Sequence, residues 1–319
     1  MIACTRSGGW LLLIAFAASA APPWEAATIE MPVVQVGPHS WVVEGRLEDA
    51  SRANQGFMSN AGFVITESGV IVFDTLGSPA LAARLLAEIK RHTKLPVRRV
   101  IVSHYHADHF YGIPALRAAG AEIWAHTDAR QYLHSEAAQR RLTERRASLG
   151  PWLGADFELP LPDRWITADE SFDFGGIRFS LRHVGPGHSP EDLVMGVEPD
   201  GVLFAGDIVY AGRVPFVGEA DSGLWLRAIE RLQQIPARVL VPGHGSASYH
   251  PREDLQLTHD YLTFLRVEMQ RAVAEFVPFD DAYVRIDWRR FAALPTFDAA
   301  NRGNAYNVYL QMEQEVLNP

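Results

Sequence analysis

The sequence predicts an α/β layered fold, and three observations carry that expectation. Runs of β-branched residues alternate with helical patterns between residues 41 and 126. Several of these runs end in glycine-flanked His or Asp residues. The stretch GVLFAGD at 201–207 also echoes GVIVFDT at 69–75, which hints at two similar halves.

The elements follow in order. WVVEG (41–45), AGFVIT (61–66) and GVIVFDT (69–75) read as strands, the last with a glycine turn before a buried run. SPALAARLLAEIKRH reads as a helix, with Ser78 as N-cap and Pro79 in its first position. Leu81, Leu85, Leu86 and Ile89 share one face of it. VRRVIVS (97–103) is a buried strand, IPALRAAG a short helix ended by Gly120, and AEIWAH a further strand. Residues 127–149 read as one charged helix. Residues 150–163, with Pro and Gly at 150, 151, 154 and 160, read as a loop able to cover a cleft. Strands are expected at 176–184, 193–197 and 201–205, a helix near 221–234, then the strand ARVLVPG. A long amphipathic helix at 252–277 and a helical pattern near 300–316 close the chain.

The composition, 48% hydrophobic and 21% charged over 319 residues, suits a globular protein with a sizeable core. A formal charge of −9 argues against nucleic acid or an anionic membrane as the main partner. At the N-terminus Arg6 precedes the apolar run WLLLIAFAASA, with Ala18 and Ala20 in an Ala-x-Ala pattern, which reads as a secretory signal over residues 1–21. The expected location is therefore periplasmic or secreted. The one cysteine, Cys4, lies in that segment, so the mature chain would offer no thiolate as nucleophile or metal ligand.

Three histidines and an aspartate crowd HYHADH at 104–109, directly after a strand. In an extended segment His104 and His106 point the same way, while Asp108 and His109, past the turn, reach a second point. Imidazole and carboxylate are the preferred ligands of zinc once cysteine is absent. His188, Asp207 and His244 each follow a strand in a Gly-containing turn and complete a set for two metals. Asp74 is read either as an acceptor that orients a ligand imidazole or as an ordinary strand-end turn residue. His126, His134, His183, His250 and His259 are read as structural.

The pattern H-x-H-x-D-H, with His188, Asp207 and His244 in turns of their own, resembles the metallo-β-lactamase superfamily over roughly residues 30–250. The resemblance implies a four-layer αβ/βα sandwich with a C-terminal helical extension. Residues 22–250 would form the metallo-β-lactamase domain, and 251–319 would pack on it as helices. It implies a first zinc on His104, His106 and His188, a second on Asp108, His109 and His244, and Asp207 bridging both. That ligand set is similar to the glyoxalase II-like branch. The stretches SNAGFVIT, GPGHSPEDLV and NAYNVYLQMEQE are similar to quinoprotein relay system zinc metallohydrolases, which implies a periplasmic quinoprotein partner.

The expected chemistry is hydrolysis of an ester, thioester or amide/lactam bond in a small substrate by a metal-bridging hydroxide. Asp108 is its expected catalytic residue. Tyr210, Asn304 and Tyr306 are candidate substrate contacts, with Asn301 and Arg302 beside the last two. Trp152, Phe157 and Trp165 are candidate pocket residues under the 150–163 loop. The alternatives are a mononuclear-iron persulfide dioxygenase, a true metallo-β-lactamase, and a non-catalytic periplasmic binding partner.

Overall fold

The computed structural model describes residues 22–318, so the secretory signal expected at 1–21 lies outside the described residues. The first sheet contains β1 (Val33–Gln35), β2 (Ser40–Val43), β3 (Ala61–Thr66), β4 (Gly69–Phe73), β5 (Val97–Ile101), β6 (Glu122–His126) and β7 (Arg164–Ile166), in that spatial order. Neighbours run antiparallel up to β4 and parallel beyond it. The second sheet contains β8 (Glu170–Phe174), β9 (Ile177–His183), β10 (Leu193–Val197), β11 (Val202–Tyr210) and β12 (Val239–His244), with only the β11–β12 pair parallel.

Three apolar clusters define four layers. Val42, Val64, Ile71 and Ile101 of the first sheet meet Phe179, Leu181, Met195 and Phe204 of the second, forming the core of a sandwich. The first sheet's other face packs α1 (Pro79–His92), α3 (Ile113–Ala118) and α5 (Glu136–Leu153) through Leu81, Leu85, Leu116 and Leu149. The second sheet's outer face packs α6 (Ser222–Gln233), α7 (Pro251–Ala274) and α9 (Phe297–Leu317) through Trp225, Leu262, Leu265 and Val308. The short helices α2 (Ala107–Phe110), α4 (Ala129–Leu133) and α8 (Phe279–Arg285) lie in the connections. No described helix is long and apolar enough to cross a membrane.

Of the apolar runs, β4 and β11 are covered on both faces, every residue of each being buried, whereas β5, also expected to be buried, leaves Arg98 exposed and Arg99 half-buried. The halves echoed in the sequence also correspond. Each motif forms a strand with a parallel neighbour, β4 with β5 and β11 with β12. Ser78 caps α1 by accepting a hydrogen bond from Leu81 N, with Pro79 opening the helix.

Two expectations fail. Residues 127–149 form two helices, α4 and α5, separated by His134 and by Ser135, which caps α5. The loop expected from residue 150 begins later, because α5 runs through Pro151 to Leu153. Leu149 and Leu153, each 1% exposed, anchor this last turn in the core, and that burial outweighs the proline's local tendency to break the helix.

Candidate metal centre

Strand β5 feeds Val102, Ser103 and His104 into the space between the two halves of the sandwich. His106 is still extended (φ −91°, ψ 144°), and the single turn of α2 then swings Asp108 and His109 around. His188 comes from the turn after β9, Asp207 from within β11, and His244 from the end of β12. All seven converge. Potential ligand atoms of His104, His106 and His188 lie within 4.8 Å of one another, as do those of Asp108, His109 and His244. Asp207 stands between the groups. Its Oδ2 is 3.9 Å from His104 Nε2, 3.5 Å from His188 Nε2 and 3.2 Å from His244 Nε2, and its Oδ1 is 3.1 Å from His109 Nε2.

A buried hydrogen-bond chain aims the rings. Asp74 Oδ1 accepts from Ser103 N (2.7 Å), and its Oδ2 accepts from Ser103 Oγ (2.8 Å) and His109 Nδ1 (2.8 Å). An ionised carboxylate only accepts, so Nδ1 of His109 carries a proton and Nε2 is the atom left to face the centre. Ser103 Oγ spends its proton on Asp74 and therefore accepts from His104 Nδ1 (2.9 Å), which leaves His104 Nε2 free in the same way. His244 Nδ1 donates to Met58 O (2.8 Å). Asp74 thus orients one ring of each group, the first of its two sequence readings. Ser103 went unnoticed in the sequence, although a hydroxyl between a buried strand and a His cluster was the available signal.

The backbone around these residues is equally specific. A Cβ at Gly243 would lie 1.8 Å from Asp207 Oδ1, so β12 can pass the carboxylate only with glycine there. The SNAGFVIT stretch clamps the same region. Asn60 Nδ2 donates to Pro242 O and Gly245 O on either side of His244, and Ser59 Oγ donates to Asp108 O.

The electrostatics split the centre. Burial pushes the His104 imidazolium well below its ordinary pKa, His106 down to about 4 and His188 down to about 3, so these rings are neutral ligands at ordinary pH. Burial presses the same way on His109 and His244, but the carboxylates of Asp207 and Asp108 outweigh it and raise both. The converse holds for Asp108 and Asp207: burial opposes, yet His109 and His244 hold both carboxyls well below their ordinary value.

A cation pair fits this donor set. His104 Nε2, His109 Nε2 and Asp207 Oδ1 are buried with no hydrogen-bond partner, and His106 Nδ1 and His188 Nε2 approach to 2.8 Å. Unpartnered buried nitrogen and oxygen atoms are costly, and two nitrogens that both keep lone pairs repel unless a proton or a cation lies between them. All the donors are imidazole or carboxylate, which suits zinc and iron alike. His126, Asp128 and His183 also gather, but the two rings stack at 3.8 Å and 13°, so their lone pairs run side by side rather than toward one point.

A cavity of about 880 Å³ opens onto the centre. Tyr210 lines it, donates from its hydroxyl to Asp207 Oδ2 and stacks on His244 at 4.9 Å. Asn304 and Tyr306 are not among the lining residues, against expectation. Asn304 is consumed by Val217 N, Pro215 O and the Tyr261 hydroxyl, and Tyr306 packs on Phe279 at the surface. Asn301 bonds Tyr261 and Tyr283, and Arg302 pairs with Asp280. Trp152, Phe157 and Trp165 pack on the core of the first layer instead of on the cavity. The wall expected from them comes from α4 and α5, through Tyr132, Arg141 and Arg145, which the sequence reading missed.

A family model described as Metallo-beta-lactamase superfamily matches residues 54–244. A linear primary-alkylsulfatase from Pseudomonas sp. (strain ATCC 19151) is 22% identical over 241 residues, which is 64% of this chain and 45% of that protein. A type 2 metallo-beta-lactamase from Bacillus sp. (strain 170) is 26% identical over 192 residues, 59% of this chain and 66% of the relative. This chain thus matches less than two thirds of either protein's length. Among solved structures, a stereoselective inverting sec-alkylsulfatase from Pseudomonas sp. superposes with a TM-score of 0.69 at 18% identity, covering 91% of this chain and 52% of that one.

Proposed function

The chain belongs to the metallo-beta-lactamase superfamily, and we propose that it is a metal-dependent hydrolase of a small substrate carrying an ester, thioester or amide/lactam bond. The single observation behind this reading is the convergence of seven imidazoles and carboxylates, five of them buried and four of their atoms unpartnered, beside a cavity of about 880 Å³. His104, His106 and His188 would hold one zinc, Asp108, His109 and His244 a second, and Asp207 would serve both. When bound, such a pair supplies Lewis acidity and brings the pKa of water down to roughly 7.

The chain's own residues do the rest. The neutral rings at 104, 106 and 188 offer lone pairs without first losing a proton at ordinary pH. Asp108 faces the cavity and stays ionised, so its carboxylate accepts a hydrogen bond from a water and orients it for attack. Tyr210 keeps the Asp207 carboxylate in place from the second sheet. His106, Asp108, His188, Asp207 and His244 line the cavity, and His104 and His109 are buried behind them, where charge interactions are stronger than in water.

The alkylsulfatase relatives favour one second reading, a sulfate ester as the bond cleaved. A panel of a chromogenic cephalosporin, an acylthioester, a carboxylic ester and an alkyl sulfate, run with the zinc-loaded chain and with chelated protein, tests both readings. Turnover of one class that disappears on chelation supports the proposal, and turnover that survives chelation refutes it. A chain purified with one iron and consuming oxygen would instead favour the persulfide dioxygenase alternative. Placement in the periplasm rests on the leader-like residues 1–21. The quinoprotein link rests on SNAGFVIT, GPGHSPEDLV and NAYNVYLQMEQE. Fractionation of cells and co-purification test those two parts.

A further inference from the structure

We propose that Tyr132, Arg141 and Arg145 form a subsite for an anionic oxygen group of the substrate, a carboxylate, sulfate or phosphate, beside the metal-ligating residues and not on them. The inference rests on the hydrolase reading only in placing the scissile part of the same molecule at the metal centre.

Helix α4 brings Tyr132 to the cavity, and α5 brings Arg141 and Arg145, one turn apart on the same face. The Tyr132 ring stands edge-on to His106, with centroids 5.6 Å apart, so the subsite adjoins the centre. Its hydroxyl has no hydrogen-bond partner among the described residues, and the side chain lines the cavity. Arg145 approaches only the sulfur of Met58, at 4.0 Å, and has no carboxylate partner among the described residues. Arg141 has one, Glu144, at 3.0 Å on the exposed side of the same helix, a pair that water screens heavily.

The acids that share the cavity do not cancel these charges. Asp49 pairs with Arg213 at 3.0 Å, and Glu219 stands 3.8 Å from Arg140. Glu191 accepts from Tyr105 N, and Asp221 caps α6 by accepting from Leu224 N. Asp108 and Asp207 belong to the metal centre. On α4 and α5, two guanidinium forks and a phenol are left to face the open volume, a donor set that matches planar or tetrahedral anionic oxygens. Phe216, Leu224, Ala299 and Ala300 line the cavity from the α6 and α9 side. The substrate class is therefore an organic acid with an apolar body, its charged end on α4–α5 and its labile bond at the centre.

Calorimetry on the full zinc-loaded chain tests this with four probes: 4-phenylbutanoate, phenyl sulfate, phenyl phosphate and the neutral 4-phenylbutanamide. The tightest of the three anions identifies the group. At least one anion binds about tenfold or more tighter than the amide, as charge-assisted hydrogen bonds imply. That preference vanishes in the Arg141→Gln/Arg145→Gln double variant. Should the double variant fold poorly by its melting temperature, Tyr132→Phe and Arg145→Gln are measured singly, and each reduces the preference. An amide that binds as tightly as the acids overturns the proposal. So does a preference that survives the substitutions, since the anion would then sit on the metals or on Arg213, which also lines the cavity. A chain that binds the acids through these arginines yet hydrolyses no substrate would refute the proposed function and leave the subsite standing.

Discussion

Replacing Asp74 by Asn changes one atom and tests how the metal centre is built. The native carboxylate accepts three hydrogen bonds, from Ser103 N, Ser103 Oγ and His109 Nδ1. An amide has one oxygen and one NH₂, so it satisfies only part of that set. If the oxygen stays on Ser103 N, the NH₂ faces His109 Nδ1 and drives that ring's proton to Nε2, the atom aimed at Asp207 and Asp108. If the amide turns over, Ser103 N is buried against a donor, at a penalty of about 1–3 kcal/mol. The first outcome removes a ligand lone pair, and the loss of such orienting partners lowers metal affinity by about 10–100-fold, or about 1.4–2.7 kcal/mol. His104, held through Ser103, is loosened as well. Competition against a chromophoric chelator, with zinc added stepwise to wild type and Asp74→Asn, reads both affinities, and urea unfolding of the metal-free proteins separates folding from binding. An Asp74→Asn protein that binds both zincs within about twofold of wild type, where a 10–100-fold loss is expected, would refute the orienting role.

Three further outcomes follow from the same geometry. Gly243→Ala places a Cβ against Asp207 Oδ1, so the variant folds with its β11–β12 pairing disturbed or with Asp207 displaced, and its zinc stoichiometry by elemental analysis falls below that of wild type. Tyr210→Phe removes the donor on Asp207 Oδ2 and keeps the stack on His244; the expected loss is about 0.5–1.5 kcal/mol in stability, with a metal-binding isotherm shifted more than KM for substrate. Chelation of the zinc-loaded chain lowers its melting temperature, and zinc restores it, because ligand binding to the native state alone adds stability. A melting temperature indifferent to chelator would contradict the cation fit.

What the sequence made legible was what metal chemistry and burial constrain most tightly. A strand such as GVIVF is covered on both faces, and its apolar run announces it. The ligand set was equally readable, because HYHADH directly follows a strand and His188, Asp207 and His244 each have a glycine next to them, although Asp207 lies within β11 and not in a turn after it as expected. Strand β8, ESFDF, carries no such signal. It is an edge strand with alternating exposure, paired only with β9. The cavity wall was illegible for a different reason: Tyr132 and Arg145 are separated from their partners in space by long stretches of chain, and their spacing matches that of any charged helix. Asn304 and Tyr306 misled because amides and phenols near a helix start look alike whether they face a ligand or, as here, hold α9 against its neighbours.

The most direct test of the central claim is metal content per chain, measured by elemental analysis after zinc reconstitution and dialysis, for the wild type and for Asp207→Ala. Asp207 alone reaches toward both groups of histidines, so the wild type should retain two zinc ions and the variant should lose affinity at both positions. A wild-type chain that retains no metal, or an Asp207→Ala chain that holds two zincs as firmly as the parent, would contradict the account.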